Sequence, residues 1–375
     1  MKIRLAAVDP HLLAYPMHGQ RKLLAEGYRT RDGHVIEWLG RLTDTDGGVT
    51  VISRPDPLVA APHGRTTGRS AKGTRPLSVR APRLPDPRSR RRWWVDSARY
   101  YPVLSHRGLD APAVVWNPFV ATAPADRNPF GRNVVLLDLL DDWTTHYAFE
   151  PIRAEVEAAY RIAFDRADHV TANAEGTAAL ARRFGRDDVV LLPNGCDPER
   201  FSARHGAVGP TTVGYVGKIG KRLDLAGILS TARALPEFAF VFAGPVLDRS
   251  YRAPLQAEPN ITLLGDVHYD DVPDLLASFD VGWVPHNVGP FEVGGDIIKT
   301  YEYRAAGLPT LSTPVAGAGE RGIDGIAALP ISEHATTLRT WVEPGGARVG
   351  RRPTRIPARA TWQDKARTML DRLAA

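Results

Sequence analysis

Residues 211–235, TTVGYVGKIGKRLDLAGILSTARAL, decide the fold. TTVGYVG is a short apolar run that ends on Gly217. DLAGILSTARAL, from Asp224, carries apolar residues at helical spacing. Between them lies a Gly-rich basic turn. Strand, glycine turn and helix form the repeating step of an α/β sheet. Gly217 and Gly220 permit a tight backbone, and Lys218, Lys221 and Arg222 place three cations on the turn. Helix N-terminal N–H groups point at an anion in such a turn, and an arginine fork matches phosphate oxygens. A solvated basic turn is the plainer reading of the same residues. GxxxxGK[ST] is absent, and no GxGxxG follows the first strand, which argues against a Walker phosphate loop and a nicotinamide dehydrogenase.

The alternation continues on both sides. Downstream come FAFVFAG (238–244) and NITLLG (260–265) as strands, DVPDLLASF (271–279) as a helix and DVGWVP (280–285) as a strand. IIKTYEYRAAG (297–307) reads as a helix and PTLST (309–313) as a strand. Upstream, residues 2–8 read as a first strand, followed by a turn-rich loop. Then come a helix near Asp32–Leu42 and the strand GGVTVIS. APAVVWNP (111–118) and NVVLLDLL (133–140) read as buried strands. Residues 151–168 read as a helix, HVTAN as a strand, EGTAALARRFG as a helix and DDVVLLPNG as a strand. Two successive α/β units predict two Rossmann-like domains, over residues 1–205 and 206–355. A final amphipathic helix within 356–375 carries Trp362, Ala366, Met369, Leu370 and Leu373 near one face. Ligands in open parallel sheets bind beyond the carboxyl ends of the strands, so two such domains facing each other make an interdomain cleft.

The chain has 375 residues, 43% of them apolar and 24% charged, ordinary globular values that exclude a disordered or fibrous protein. No apolar run approaches the roughly 18–20 residues of a membrane span. The start, MKIRLAAVDP, has too short an apolar stretch for a signal peptide. Cys196 is the single cysteine, which fits a reducing, cytoplasmic setting. The net charge of +6 is local: residues 54–92 hold eleven Lys/Arg against Asp56 and Asp86, leaving −3 for the rest. A mildly acidic body with one basic insert does not predict nucleic acid as a partner. The insert reads as a long excursion rather than core. Its expected partner is an anionic membrane surface or a charged acceptor; a solvated loop is the alternative.

A second constellation is GGDIIKTYEYRAAGLPTLST, residues 294–313. Asp296 reads as an N-cap after Gly294 and Gly295. Asp296, Lys299 and Glu302 are spaced by three and share one side of the helix. A cation and an acid there can grip a diphosphate and a ribose, or form a salt-bridged surface helix. In the first domain, Asp138, Asp141, Asp142, Trp143 and His146 fall at the carboxyl end of a strand. Asp142 and His146 are candidates for the acceptor or the transferred sugar; helix capping is the alternative. Gly19, after His18, lies in the loop following the first strand. His34 and Glu37 read as structural. The chain has no HExxH, no Cys–His cluster and no DxD pair in a donor loop, so no catalytic metal is expected.

PNGCDPERF, GYVGKIGKRLDL, FAGP, ITLLGDVHYDDVPDLLASFDVGWVP and IKTYEYRAAGLPTLST occur in the order found in GT-B glycosyltransferases. The chain resembles family 4 of the retaining enzymes, which commonly show "PNGVD…F" and "KxYEYLAAGxPVVST". The resemblance is strongest over residues 165–330. It implies two Rossmann-like domains, a nucleoside diphosphate-sugar as co-substrate with no bound cofactor, and retaining, metal-independent hexosyl transfer. The acceptor stays open among a glycan, a lipid-linked molecule and a small natural product.

Carried over residue by residue, Glu302 matches the acid on the donor ribose. Gly294 and Gly295 match the turn near the diphosphate. Lys218 with Arg222 or Lys221 matches its cations, and Lys299 the motif lysine. Val267 matches the backbone contact to the base, and Gly19 an amide near the donor phosphate. Many members carry a glutamate at the position of Gly294, leaving Glu292 and Asp296 as the nearest acids here. Arg304 and Cys196 also depart from the pattern, and Cys196 reads as a small buried residue. A nucleotide-sugar 2-epimerase of the same fold, or a non-catalytic sugar-nucleotide binding protein, are the other readings.

Overall fold

The computed structural model describes residues 11–58, 69–82, 91–104, 110–289, 295–315, 325–342 and 349–375. The strand expected at residues 2–8 lies outside them. The chain forms two compact units: Met1–Pro193 with Val293–Gly295 and Trp362–Ala375, and Asn194–Glu292 with Asp296–Thr361.

The first unit begins with β1 (Leu12–Tyr15), α1 (Gln20–Glu26), α2 (Arg31–Thr43) and β2 (Val49–Ile52). The short β3 (Asp56–Pro57), β4 (Thr74–Leu77), β5 (Arg80–Ala81) and α3 (Arg92–Asp96) follow. Then come β6 (Ala113–Val115), β7 (Val135–Leu139), α4 (Arg153–Arg166), β8 (His169–Ala172), α5 (Glu175–Arg183) and β9 (Val190–Leu191). Seven strands pair in the order β4-β2-β1-β6-β7-β8-β9, every pair parallel.

Helices cover a parallel sheet on both faces, so its strands are short continuous apolar runs rather than alternating ones. LLAY of β1 is buried at all four positions. These residues fall in the stretch read as a turn-rich loop. The reading fails because four apolar residues flanked by Pro10 and Pro16 carry no periodicity. The basic insert also corrects expectation: β4 lies within it and extends the sheet edge, Val49 facing Thr74 and Ile52 facing Leu77. β3 and β5 pair with each other.

The second unit contains β10 (Thr212–Val216), α6 (Leu225–Ala234), β11 (Ala239–Ala243), α7 (Arg249–Ala257) and β12 (Ile261–Gly265). It continues with α8 (Val272–Ala277), β13 (Val281–Val284), α9 (Ile298–Ala305), β14 (Thr310–Ser312), β15 (Ile326–Ala328) and α10 (His334–Trp341). Its six strands run parallel in the order β12-β11-β10-β13-β14-β15. Phe240, Phe242, Trp283 and Leu311 form the centre of one apolar layer, all fully buried. The last helix, α11 (Trp362–Leu373), belongs to the first unit and packs on α2. There Trp362 stacks on His34 with ring centroids 4.8 Å apart.

Candidate active site

The basic turn of the second unit is built by backbone. β10 ends at Val216, and Gly217 (φ 150°) follows; Gly244 (φ 143°) holds the matching place after β11. The two chains touch: a Cβ on Gly244 would lie 1.9 Å from the Gly217 carbonyl oxygen. Gly217 N–H donates to the Ala243 carbonyl at 2.8 Å. Asn287 fastens the far side, its side-chain amide donating to the Lys221 and Leu223 carbonyls at 2.8 and 3.0 Å. Its backbone N–H donates to the Arg222 carbonyl at 2.7 Å. Asp248 accepts from Lys221 N–H at 2.8 Å, and Asp224 caps α6 by accepting from Gly227 N–H at 2.8 Å. The carbonyls of the turn therefore point into protein bonds, and its cations start from a fixed backbone.

Helix α9 brings Lys299 and Glu302 to this turn. The Lys299 ammonium sits 5.1 Å from the centre of the Tyr215 ring, beside Gly217, which has no side chain to obstruct it. Burial pushes Lys299 down to about 8; Glu302 opposes the shift, and Arg222 and Lys218 add to it. Those interactions bring four sequence candidates, Lys218, Arg222, Lys299 and Glu302, into one electrostatic cluster. Lys218 and Lys221 are exposed, while Arg222 and Lys299 are half-buried. Glu302 is buried. Burial, then the charge and hydrogen bond of Glu302, raise the Tyr269 hydroxyl. Cys196 is fully buried, and burial, followed by Glu302, raises its thiol.

His286, just past β13, was not foreseen. Burial holds its imidazole well below the usual range, helped by Lys299 and Arg222. Its Nε2 is buried without a hydrogen-bond partner among the described residues. The legible signal was its place two residues past the apolar strand, at the carboxyl end of the sheet.

Other candidates sit differently. Helix α9 starts at Ile298 with Ile297 in the capping place and no side-chain cap, so Asp296 is not its N-cap. Instead Asp296 Oδ2 accepts from Asn194 N–H and the Tyr301 hydroxyl, both at 2.8 Å, and Oδ1 from Ile297 N–H at 2.9 Å. Glu292 and Gly294 lie outside the described residues. Gly295 belongs to the first unit, where a Cβ would come within 2.5 Å of Asp141 Oδ1. Val267 follows β12, half-buried against the cluster that contains Tyr269 and Tyr301.

In the first unit, Asp138 is a buried hub rather than a ligand. It accepts from Arg31 at 2.7 and 2.9 Å, Trp116 Nε1 at 2.6 Å and Thr171 Oγ1 at 2.7 Å. Asp142 pairs with Arg183 at 2.7 Å and accepts from Thr144 N–H at 2.9 Å. Thr144 and Arg183, with Glu157, Arg161 and Phe184, line an open recess of about 530 Å³. His146 Nδ1 accepts from Ala148 N–H at 3.0 Å, and Trp143 stacks on Phe149 with centroids 4.8 Å apart. Gly19 follows β1 and precedes α1; a Cβ there would meet nothing closer than Ser53 at 3.8 Å. Beside it, His18 holds Asp32 through its backbone N–H at 3.0 Å and its ring Nδ1 at 3.1 Å. Burial alone would raise the Asp32 carboxyl. His18 and Thr30 outweigh it and hold that carboxyl far below the usual range.

The profile of the family Glycosyl transferases group 1 matches residues 210–339, the segment that carries the cationic cluster. Over 175 residues the chain is 26% identical to TuaH of Bacillus subtilis (strain 168), named as a teichuronic acid biosynthesis glycosyltransferase. That match spans 43% of this chain and 44% of TuaH, less than half of either. AviGT4, a glycosyltransferase involved in avilamycin A biosynthesis, superposes with a TM-score of 0.56 at 14% identity, over 97% of both chains. A trehalose-6-phosphate structure from E. coli, bound with UDP-2-fluoro glucose, gives 0.57 at 13% identity, over 97% of this chain and 95% of the other. The chain has the GT-B fold, and residues 210–339 of its second unit are similar to the glycosyl transferases group 1.

Proposed function

We propose that the chain is a retaining glycosyltransferase that moves a sugar from a nucleoside diphosphate donor, held by the second unit, to an acceptor held by the first. One observation carries this reading: Lys218, Arg222, Lys299 and Glu302 gather at the carboxyl ends of a parallel sheet. Open α/β sheets bind ligands at that end. Glycosyltransferase names among the similar proteins support the reaction class, and the sugar nucleotide in one of them supports the donor class.

In this scheme Lys218, Arg222 and Lys299 face the diphosphate. Negative charge grows on the leaving oxygen as the glycosidic bond lengthens, and cations fixed beforehand stabilise that state most. The leaving oxygen then takes the acceptor proton on the same face of the sugar. Glu302 accepts hydrogen bonds from the ribose hydroxyls. Lys221 and the backbone at Gly19, Val267, Gly294 and Gly295 complete the donor contacts; Glu292 and Asp296 are the acids nearest the sugar, and Asp142 and His146 face the acceptor. The cations neutralise the diphosphate, so a metal is not required.

Two variants separate the roles. Arg222→Ala removes a group that matters most in the transition state, and turnover is expected to fall about 10²–10³-fold. Glu302→Gln weakens a bond present equally before and during transfer, so the donor KM rises while kcat holds. A thermal-shift screen of nucleotide sugars picks the donor, and calorimetry with steady-state kinetics reads both variants. Unchanged donor affinity in Glu302→Gln removes that residue from the ribose site. Full turnover in Arg222→Ala transfers the diphosphate role to Lys218 or Lys221.

A further inference from the structure

We propose that Arg54 and Arg91 of the first unit, set on the Trp94 and Phe149 rings beside Tyr101, form an anion subsite. It would take the carboxylate or phosphate of an acidic acceptor, and so deepens the transferase reading on which it rests.

Arg54 lies two residues past β2, at the carboxyl end of the sheet. Its guanidinium carbon stands 3.6 Å above the centre of the Trp94 ring. Arg91 stands 4.7 Å above Phe149, and the two rings contact each other edge to face at 5.5 Å. Trp93 Nε1 donates to the Pro55 carbonyl at 2.9 Å, which fixes the Arg54 loop to α3.

Neither arginine has an ion pair among the described residues, and Arg54 Nη1 is buried with no hydrogen-bond partner. The Tyr15 hydroxyl, at the end of β1, is also buried and unpartnered; its ring lies 5.8 Å from Tyr101. Asn117 donates to the Tyr101 hydroxyl at 3.1 Å, which leaves the Tyr101 proton for another acceptor. The ends of β1 and β2 and the segment after α3 thus deliver donors without acceptors. Arg31 of the same unit shows the contrast, because its guanidinium is closed bidentate on Asp138.

A partly buried cation whose Nη1 is cut off from water without a partner favours a bound anion. Burial pushes Arg54 down to about 10; Tyr101 and Asp56 oppose that shift and Arg91 adds to it. Planar guanidinium forks match carboxylate and phosphate oxygens. Arg69, Lys72, Arg75 and Arg80 are exposed cations of the kind a flat lipid surface reaches, whereas Arg54 and Arg91 are half-buried.

The test is calorimetry on the full chain with glucuronate and glucose 6-phosphate. Glucose is the neutral control, and vesicles with and without anionic phospholipid are tested in parallel. The two acidic sugars are expected to bind at least about tenfold more tightly than glucose. Arg54→Gln and Arg91→Gln are each expected to abolish the difference while nucleoside diphosphate binding stays unchanged. Should Arg54→Gln not fold, Arg91→Gln carries the test. Acidic sugars bound no better than glucose, or bound equally well by the folded variants, overturn the subsite. So does a response to anionic vesicles with both sugars silent. Acidic-sugar binding that needs these arginines, in a protein that binds no nucleoside diphosphate, keeps the subsite and removes the transferase reading.

Discussion

Lys299 is the residue whose chemistry is most sensitive to its surroundings. Its proton is held only to about pH 8, because burial and the cations Arg222 and Lys218 outweigh Glu302. An unfolded lysine keeps its proton to about pH 10.4. Between those values the unfolded chain binds more protons, so this group makes stability rise with pH in that window. Donor binding runs the other way, since a diphosphate favours the charged ammonium. Donor affinity is expected to fall as pH rises through about 8, and Lys299→Met is expected to flatten that dependence; calorimetry at about pH 7 and pH 9 reads both. An affinity that is equally pH-dependent in Lys299→Met assigns the titration elsewhere. At this scale the sequence was informative where spacing constrains geometry. Lys299 and Glu302 are three apart on one helix, and they do meet the 218–222 turn in one cluster. It was blind where partners come from distant segments. Nothing near Asp296 predicts that Asn194 and Tyr301 occupy its carboxylate, and nothing near Arg54 predicts Trp94 beneath it.

At the scale of elements, one junction sets the basic turn and another fixes the last helix. The crossing of Gly217 and Gly244 sets the basic turn, and it leaves no room for a side chain. Gly244→Ala places a methyl against the Gly217 carbonyl in a backbone conformation that disfavours it. The conformation alone costs on the order of 1–3 kcal/mol, and displacement of the turn adds loss of donor affinity. Gly185→Ala is the control, since Gly185 also has positive φ but its Cβ would meet nothing within 4 Å. Equal donor binding by the two variants argues against the turn as the diphosphate site. The second junction is α11 on α2. Trp362 is fully buried against His34, so Trp362→Ala is expected to lose about 3–5 kcal/mol in urea unfolding. A loss under about 1 kcal/mol contradicts that packing. The amphipathic pattern of α11 was legible because it spans three turns. Strand β1 was not, because a four-residue buried strand has neither alternation nor length, and β4 was hidden by Pro76 within it. Helix α7 was hidden by Pro254 within it.

For the whole molecule, the order of strands and helices gave the two-unit α/β plan, and the family resemblance implied that the last helix returns to the first unit, while the place of Gly295 in that unit has no local signature. Lys218, Arg222 and Lys299 gather beside the sheet of the second unit, and the charges acting on Lys299 are Glu302, Arg222 and Lys218. A diphosphate brings two or more negative charges, so the set is complementary to it before any divalent ion is added. In a partly buried site, fixed cations act more strongly than mobile ions in water, because solvent screening is reduced. Turnover is therefore expected to persist in excess chelator, with added magnesium changing the rate by less than about twofold. Removing Arg222 reverses this, since a divalent ion can then supply missing charge: Arg222→Ala is expected to gain activity with magnesium where the wild type does not. The measurement is initial rate against magnesium for both proteins in metal-depleted buffer. Loss of wild-type turnover in chelator, restored by magnesium, would place the neutralising charge on a metal and not on these three side chains.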